Sequence, residues 1–237
     1  MKLHTMSGCV RVLLRLPTTI ESLRLICPEH PRLRHWTWPY NRIVRFYEQR
    51  GWILLGLALF LIFSLWEGRR VWEEHSQDEV ILSASSRYGV HAALVKAVVW
   101  RESRFDPEAR GSKGELGLMQ LMPATAGEWA QAERIDLRGG SVLRNPELNT
   151  RAGTWYLRKL YQRYRDTDNP VLYALADYNA GRTRVLKWAT GEASTNSAAF
   201  IAQIGFPGTR DYVLSVNERY RHYRESFPPR PTTESGL

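Results

Sequence analysis

The sequence predicts a mainly α-helical domain with at most a small β-hairpin, preceded by one transmembrane helix. Three observations carry this reading. Beyond residue 78, apolar side chains recur mostly at helical spacing. No alternating Val, Ile and Thr run is strong enough for a sheet, although Arg104–Leu118 has room for a small hairpin. Finally, Gly51–Trp66 (GWILLGLALFLIFSLW) carries no charge on any face, which marks a membrane span over a buried core helix.

The elements follow in chain order. Residues 1–50 form a basic arm, with nine Lys or Arg (Lys2 to Arg50) against Glu21, Glu29 and Glu48. That net +6 is most of the +9 of the whole chain. Up to about Pro39 the arm has scattered Pro and Arg without periodicity, the pattern of a disordered segment or of an upstream start codon. Residues 51–66 span only about 24 Å as a helix, against a hydrocarbon core of about 30 Å. Tyr47, Trp52 and Trp66 supply interfacial anchors, and Arg50, Arg69 and Arg70 can snorkel. No small-x-small cleavage pattern follows, so the segment reads as an uncleaved signal anchor. The charge bias orients the arm to the cytoplasm, with the remainder periplasmic and the span in the inner membrane. Residues 67–77 read as a polar tether and 78–225 as the main domain. Within it, helices are expected at Asp78–Tyr88, Ala92–Ser103, Ala124–Ala130, Glu147–Tyr164, Val171–Trp188 and Thr209–Tyr223. Asn145-Pro146 and Asn169-Pro170 mark starts, and Thr209 a cap. Residues 226–237 read as a frayed tail.

Composition narrows the function classes. The chain has 237 residues, enough for one main domain and an appendage, with 43% hydrophobic content. Both cysteines, Cys9 and Cys27, lie in the arm, which excludes a thiol nucleophile, a Cys zinc site or a disulfide framework in the main domain. Met6-Ser7-Gly8-Cys9 has the form of a lipoprotein cleavage site, but no apolar segment precedes it. A pI near 9.8 would suit nucleic acid. The charge gathers beside the apolar segment, however, and no recognition motif accompanies it, so no nucleic-acid partner is expected.

The strongest chemical signal is Glu102. Leu94, Val95, Val98, Val99 and Glu102 fall on one helical stripe of Ala92–Ser103, with Lys96, Arg101 and Ser103 on the other sides. A carboxyl on an apolar stripe resists ionising, and a protonated carboxyl near neutral pH can act as a general acid. The bland alternative is a structural ion pair with a nearby arginine.

Three further segments bear on the choice. Gly114 and Gly117 bracket a turn in GELGLMQLMP, where backbone must pass close to a ligand or to the catalytic helix. Gln120 offers a donor and an acceptor, suited to a polar ligand or to stabilising the turn itself. Met119 and Met122 are apolar fillers, and Pro123 starts a helix. Tyr178-Asn179-Ala180-Gly181 interrupts a helical run, and Gly208-Thr209-Arg210-Asp211-Tyr212-Val213 stands near the end. Glu102-Ser103, then Gly117-Leu118-Met119-Gln120, then Tyr178-Asn179-Ala180-Gly181, in this order over about Glu79–Tyr223, resembles the catalytic domain of the soluble lytic transglycosylases.

The resemblance implies a goose-lysozyme-like fold and cleavage of the β-1,4 bond between N-acetylmuramic acid and N-acetylglucosamine in peptidoglycan. It implies Glu102 as single general acid and base, with Ser103, Gln120, Met122, Tyr178, Asn179 and Tyr212 as substrate contacts. No metal or cofactor is expected, and the partners are peptidoglycan glycan strands and the inner membrane. Two departures stand out. Glu115-Leu116 occupies positions where many relatives carry small residues, and Gly208 stands where many carry an acid. A hydrolytic muramidase and a non-catalytic peptidoglycan-binding module are the alternatives.

Overall fold

The computed structural model describes residues 40–136 and 142–227, with only the backbone path for 40–49 and Val142. Most of the basic arm, with Cys9 and Cys27, and the tail from Pro228 onward lie outside the described residues. The chain divides into two compact units, 1–57 and 58–237. Of the first, Tyr40–Leu57 is described, and it is helical throughout.

Helix α1 runs over Tyr40–His75, 36 residues. An apolar window within it has mean hydropathy 1.8 with none of its residues buried, so it is long and apolar enough to cross a membrane. Residues 67–75, expected as a tether, continue the helix. Arg69 pairs with Glu73 and Arg70 with Glu67 at helical spacing, which supports the exposed last turns.

Among the described residues, the second unit holds the rest of α1 and eight shorter α-helices. Helix α2 (Asp78–Tyr88) ends at Gly89, whose φ of 64° closes it in a left-handed cap. The His91 ring caps α3 (Ala92–Ser103) by accepting from the Ala93 N–H. Proline occupies the first turn of α4 (Pro123–Glu133), α5 (Pro146–Arg163), α6 (Pro170–Ala180) and α9 (Pro207–Ser226), where its missing N–H costs nothing. The Asn145 side chain also caps α5 by accepting from Leu148 N–H at 3.0 Å. Gly181, at φ 80°, separates α6 from α7 (Arg182–Trp188). A 3-10 turn (Gly191–Ser194) and α8 (Ser197–Gln203), capped by Asn196, were not anticipated from the sequence. Thr209 does not cap α9: Pro207 begins that helix two residues earlier, and the threonine side chain points toward Asn179.

No strand forms among the described residues. The hairpin region reduces to two isolated antiparallel bridges, Arg110 with Leu116 and Leu116 with Leu121. Helix α3 packs most extensively on α9, α2 on α5, and α6 between α5 and α9. Leu94, Val95, Val98 and Val99 are buried as their stripe requires. Lys96 and Ser103, on the other sides of the helix, are buried too. Lys96 is 1% exposed because its ammonium pairs with Asp78 and lies 4.3 Å from the centre of the Phe227 ring, with Tyr223 and Phe105 around it. A buried cation is tolerable where a carboxylate and ring faces replace water.

One buried amide ties the loop after α3 to this bundle. Asn149 on α5 is fully buried and makes three hydrogen bonds of 2.8 Å. Its Oδ1 accepts from Met119 N–H, and its Nδ2 donates to the Leu116 and Leu143 carbonyls. Gly117, at φ 74°, passes so close that a Cβ there would lie 2.4 Å from the Leu143 carbonyl oxygen and 2.5 Å from Asn149 Nδ2. The close approach is therefore to α5 and its lead-in turn rather than to α3. Gly114 has open space around it. Truncating Asn149 strands three buried backbone groups, so Asn149→Ala should cost about 2–4 kcal/mol. At the usual scaling this lowers Tm by roughly 4–16 °C. Thermal unfolding followed by near-UV circular dichroism checks this, and an unchanged Tm would show that the loop holds itself.

Candidate active site

Glu102 sits on the last turn of α3, partly buried, where α3 meets α9. Its Oε1 accepts a 2.6 Å hydrogen bond from Tyr212 Oη, donated across the helix interface. Burial pushes the Glu102 carboxyl from its ordinary 4.5 up to about 7. The Tyr212 hydrogen bond and the charge of Arg101 pull it back down, while the Glu115 carboxylate adds to the rise. The sequence left open a structural ion pair for Glu102, but its hydrogen-bond partner is a tyrosine, and among the described residues no guanidinium pairs with it. Arg101 instead lies over the Tyr212 ring, 5.5 Å from its centre, and donates to Ser215 Oγ.

Two tyrosines line this carboxyl. Tyr212 is 2% exposed, and burial first, then the negative charge of Glu102, raises its pKa well above the ordinary phenol value. Tyr178 is raised in the same way, with Glu102 again the leading charge. Both therefore stay protonated and act as donors. Tyr178 Oη donates to the Met119 carbonyl at 2.8 Å, so the tyrosine of α6 locks the loop beside Glu102. Its ring rests against Tyr156, centres 5.6 Å apart.

The loop between α3 and α4 carries unusual backbone. Arg104 and Phe105 have φ of 54° and 68°, and Gln120 has φ of 45°. Left-handed conformation costs such side chains about 1–3 kcal/mol each and persists where surroundings enforce it. Gln120 Nε2 donates to the Ala109 and Gly117 carbonyls, at 3.1 and 2.9 Å. Both of its donors thus stabilise the turn, and its carbonyl oxygen is the part left for another molecule. Glu115 accepts from the Lys113 N–H at 2.8 Å. Its carboxylate lies over Gly111, where a Cβ would meet Glu115 Oε2 at 2.2 Å and Gln120 Oε1 at 2.9 Å. Gly111 is the space that lets this carboxylate fold back beside the site.

The remaining sequence candidates divide. Asn179 is exposed at the end of α6, with its Oδ1 accepting from Thr209 Oγ1 at 2.9 Å. Met122, 41% exposed, stands at the start of α4. Ser103 departs from the expected contact role: it is buried, and its hydroxyl donates to the Val99 carbonyl of its own helix. The sequence reading missed Asn149, which positions Met119, and Asp177, buried one residue before Tyr178. Asp177 Oδ2 accepts from Arg163 and from Tyr164 Oη at 2.6 and 2.7 Å. An acid directly after the apolar run Val171–Ala176 was the available signal for Asp177. Asn149 gave none. Among the described residues no cluster of His, Cys, Asp or Glu could hold a metal ion. What the site does offer is a partly buried carboxyl, raised to about 7 and bonded to a tyrosine, which suits a group that gives and takes a proton near neutral pH.

The sequence profile of the family described as "Transglycosylase SLT domain" matches residues 79–201. The chain is 29% identical over 187 residues to the soluble lytic murein transglycosylase of Salmonella typhimurium, a match over 77% of this chain and 28% of that protein. It is 39% identical over 105 residues to the membrane-bound lytic murein transglycosylase F of Desulfosudis oleivorans, over 43% of this chain and 21% of that one. This chain thus spans under a third of the length of these relatives. Its fold is similar to an inactive mutant of the lytic transglycosylase Slt of Pseudomonas aeruginosa, with a TM-score of 0.58 and 30% identity over 62% of this chain and 24% of that chain. It is likewise similar to the 70 kDa soluble lytic transglycosylase of Escherichia coli, with a TM-score of 0.53 and 32% identity over 61% of this chain and 23% of that one. Profile, relatives and fold agree that the chain belongs to the transglycosylase SLT domain family, with the lysozyme-like helical fold of its solved members.

Proposed function

We propose that this chain is a peptidoglycan lytic transglycosylase, cleaving the β-1,4 bond between N-acetylmuramic acid and N-acetylglucosamine to leave a 1,6-anhydro-N-acetylmuramic acid end. The observation that carries this reading is Glu102, a single carboxyl raised to about 7 by burial and held by Tyr212. Most glycosidases need two carboxylates, one of them serving as nucleophile or water-activating base. Here one group can serve twice. Protonated Glu102 gives its proton to the glycosidic oxygen as the bond to the anomeric carbon breaks. The sugar's own N-acetyl oxygen stabilises that carbon. Glu102, now a carboxylate, then takes the proton of the C6 hydroxyl as that oxygen closes onto the anomeric carbon. No water is consumed, and the acid is regenerated.

Tyr212 engages Oε1 and leaves Oε2 to carry the proton. Its hydrogen bond stabilises the carboxylate between the two steps. Tyr178, Asn179, Met122 and the Gln120 carbonyl line the proposed sugar groove. Residues 78–225 form the catalytic domain in this reading. The apolar part of α1 is a single inner-membrane span whose basic arm stays cytoplasmic and whose catalytic domain faces the periplasmic wall. The membrane-bound names among the relatives support that placement. A hydrolytic muramidase is the second reading, favoured only by the carboxylate of Glu115 beside the site.

Four outcomes are expected. Glu102→Gln keeps the shape but cannot cycle a proton, so turnover of purified peptidoglycan should fall by about 10²–10⁴. Mass spectrometry of wild-type products should show anhydro ends. Ends one water heavier, lost in Glu115→Gln, would establish the hydrolase instead. The kcat/KM profile should fall as pH rises through about 7, where Glu102 loses its proton. Tyr212→Phe removes a bond that favours the carboxylate, so this limb should move to higher pH. Glu115→Gln removes a like charge, so the limb should move to lower pH, and limbs that stay put in both variants would separate the profile from Glu102. A reporter that works only outside the cytoplasm, fused after Leu237, should be active, whereas activity solely from a cytoplasmic reporter would reverse the topology.

A further inference from the structure

The base of α1 is docked on the domain where the sequence reads as a loose tether. Residues 58–75 of α1 belong to the same compact unit as α2 to α9. This stretch holds no proline and one glycine, Gly68, which the Arg70–Glu67 ion pair straddles. Just beyond, Glu74 accepts a 2.7 Å hydrogen bond from Tyr223 Oη on α9 and has Arg219 at 3.9 Å. Tyr223 is 2% exposed, and burial first, then Glu74, pushes its pKa well above the ordinary phenol value, so it remains the donor. Only Ser76 and Gln77 separate α1 from α2, and both are tied to the helices they join. Ser76 Oγ donates to the Glu73 carbonyl at 2.8 Å, and the Gln77 carbonyl accepts from Ile81 N–H at 3.1 Å. Asp78 closes the corner. One of its oxygens meets His75 Nδ1 at 2.7 Å, and the other meets Lys96, the buried ammonium that faces the rings of Tyr223 and Phe227.

We propose that the base of α1 is a rigid strut that holds Glu102 at one height over the membrane, so that the enzyme works on glycan held close to the lipid surface. The proposal rests on the membrane and peptidoglycan readings above. Helix lengths set the reach. Glu74 lies eight residues beyond Trp66, roughly 12 Å along α1. Tyr212, which bonds Glu102, lies eleven residues before Tyr223 on α9, roughly 16 Å along that helix. With the two tyrosine bridges added, Glu102 stays within roughly 50 Å of Trp66 whatever the angle between the helices. An unstructured segment over 67–77 would by itself extend to roughly 36–40 Å and leave the domain free to turn. Val71 and Trp72 stay 55% and 69% exposed just before the docked turn, as side chains do that anchor in the interfacial layer. A helix without proline curves gently rather than hinging, so the docked end carries the domain with it.

Double electron–electron resonance on the full chain in lipid nanodiscs tests the strut. Cys9 and Cys27 are replaced by serine, and spin labels are attached at Val71→Cys and Ala202→Cys, both exposed positions. The distance distribution should be single and narrow. Inserting about 24 Gly and Ser residues between Ser76 and Gln77, together with Glu74→Ala, should at least double its width, since such a chain spans roughly 27 Å by itself. Equal widths in the two chains would overturn the proposal. Reach is read in vesicles, as turnover of glycan strands held in the same bilayer by a lipid at one end, relative to turnover of the same strands released from it. This ratio should fall about fivefold in the inserted chain, because the effective concentration of site over substrate drops, while turnover of released strands stays within about twofold. An unchanged ratio would also overturn it. A chain that gives the narrow distance yet cleaves neither form of glycan would sink the transglycosylase reading and leave the strut standing.

Discussion

The hydrogen bond from Tyr212 to Glu102 joins the two helices on which the rest of the domain depends. It meets two opposed requirements. A carboxyl that works as an acid near neutral pH has to be kept from water, and a polar group kept from water has to be bonded. Burial alone would strand the carboxylate after it gives up its proton, and a fully charged partner would hold it ionised from the start. A neutral phenol, buried and itself raised in pKa by the same surroundings, satisfies the oxygen without fixing its charge. The interface of α3 and α9 supplies that setting through Val95, Val98, Val99, Val213 and Val216, all fully buried.

The loop after α3 is built to serve that position. Its left-handed residues Arg104, Phe105 and Gln120 store strain that local hydrogen bonds must offset. Asn149 fixes the Met119 N–H from α5, and Tyr178 takes the Met119 carbonyl from α6. Met119 is thereby clamped at both its N–H and its carbonyl by two neighbouring helices. Gln120 closes the same turn on itself. Side chains proposed for sugar contact therefore spend much of their hydrogen bonding on holding the loop, while Asn179 and Met122 stay exposed. Lys96 performs a parallel service below the site, gathering Asp78, Phe105, Tyr223 and Phe227 around one buried charge.

Much of this was legible before any coordinates. Helices α2 and α3 have the bounds that periodicity and caps indicate, and the Asn-Pro starts of α5 and α6 hold because proline fixes a first turn whatever packs against it. Glu102 stood out because an acid on an apolar stripe contradicts its own neighbours. What stayed hidden depends on partners distant in the chain. The burial of Lys96 requires a carboxylate 18 residues earlier and rings from the far end of α9. Gly117 makes room for Asn149, 32 residues on, so local turn chemistry identified the need for glycine but not the neighbour. Ser103 beside Glu102 looks equally exposed to substrate in the sequence, yet one residue of helical rotation turns its hydroxyl to the Val99 carbonyl. Helix α8 was missed because Ser197–Gln203 is too short for periodicity to register, and its Phe200 is placed by stacking on Tyr173.

The central claim is that burial keeps one carboxyl protonated near neutral pH. Carbon-13 NMR of carboxyl-labelled glutamate in the full chain, with the Glu102→Gln variant assigning the resonance, reads this without reference to turnover. The account predicts a titration midpoint at about 7 for Glu102. A midpoint near the ordinary 4.5 would contradict it, because the group would then be a carboxylate at neutral pH and could not begin the reaction as an acid.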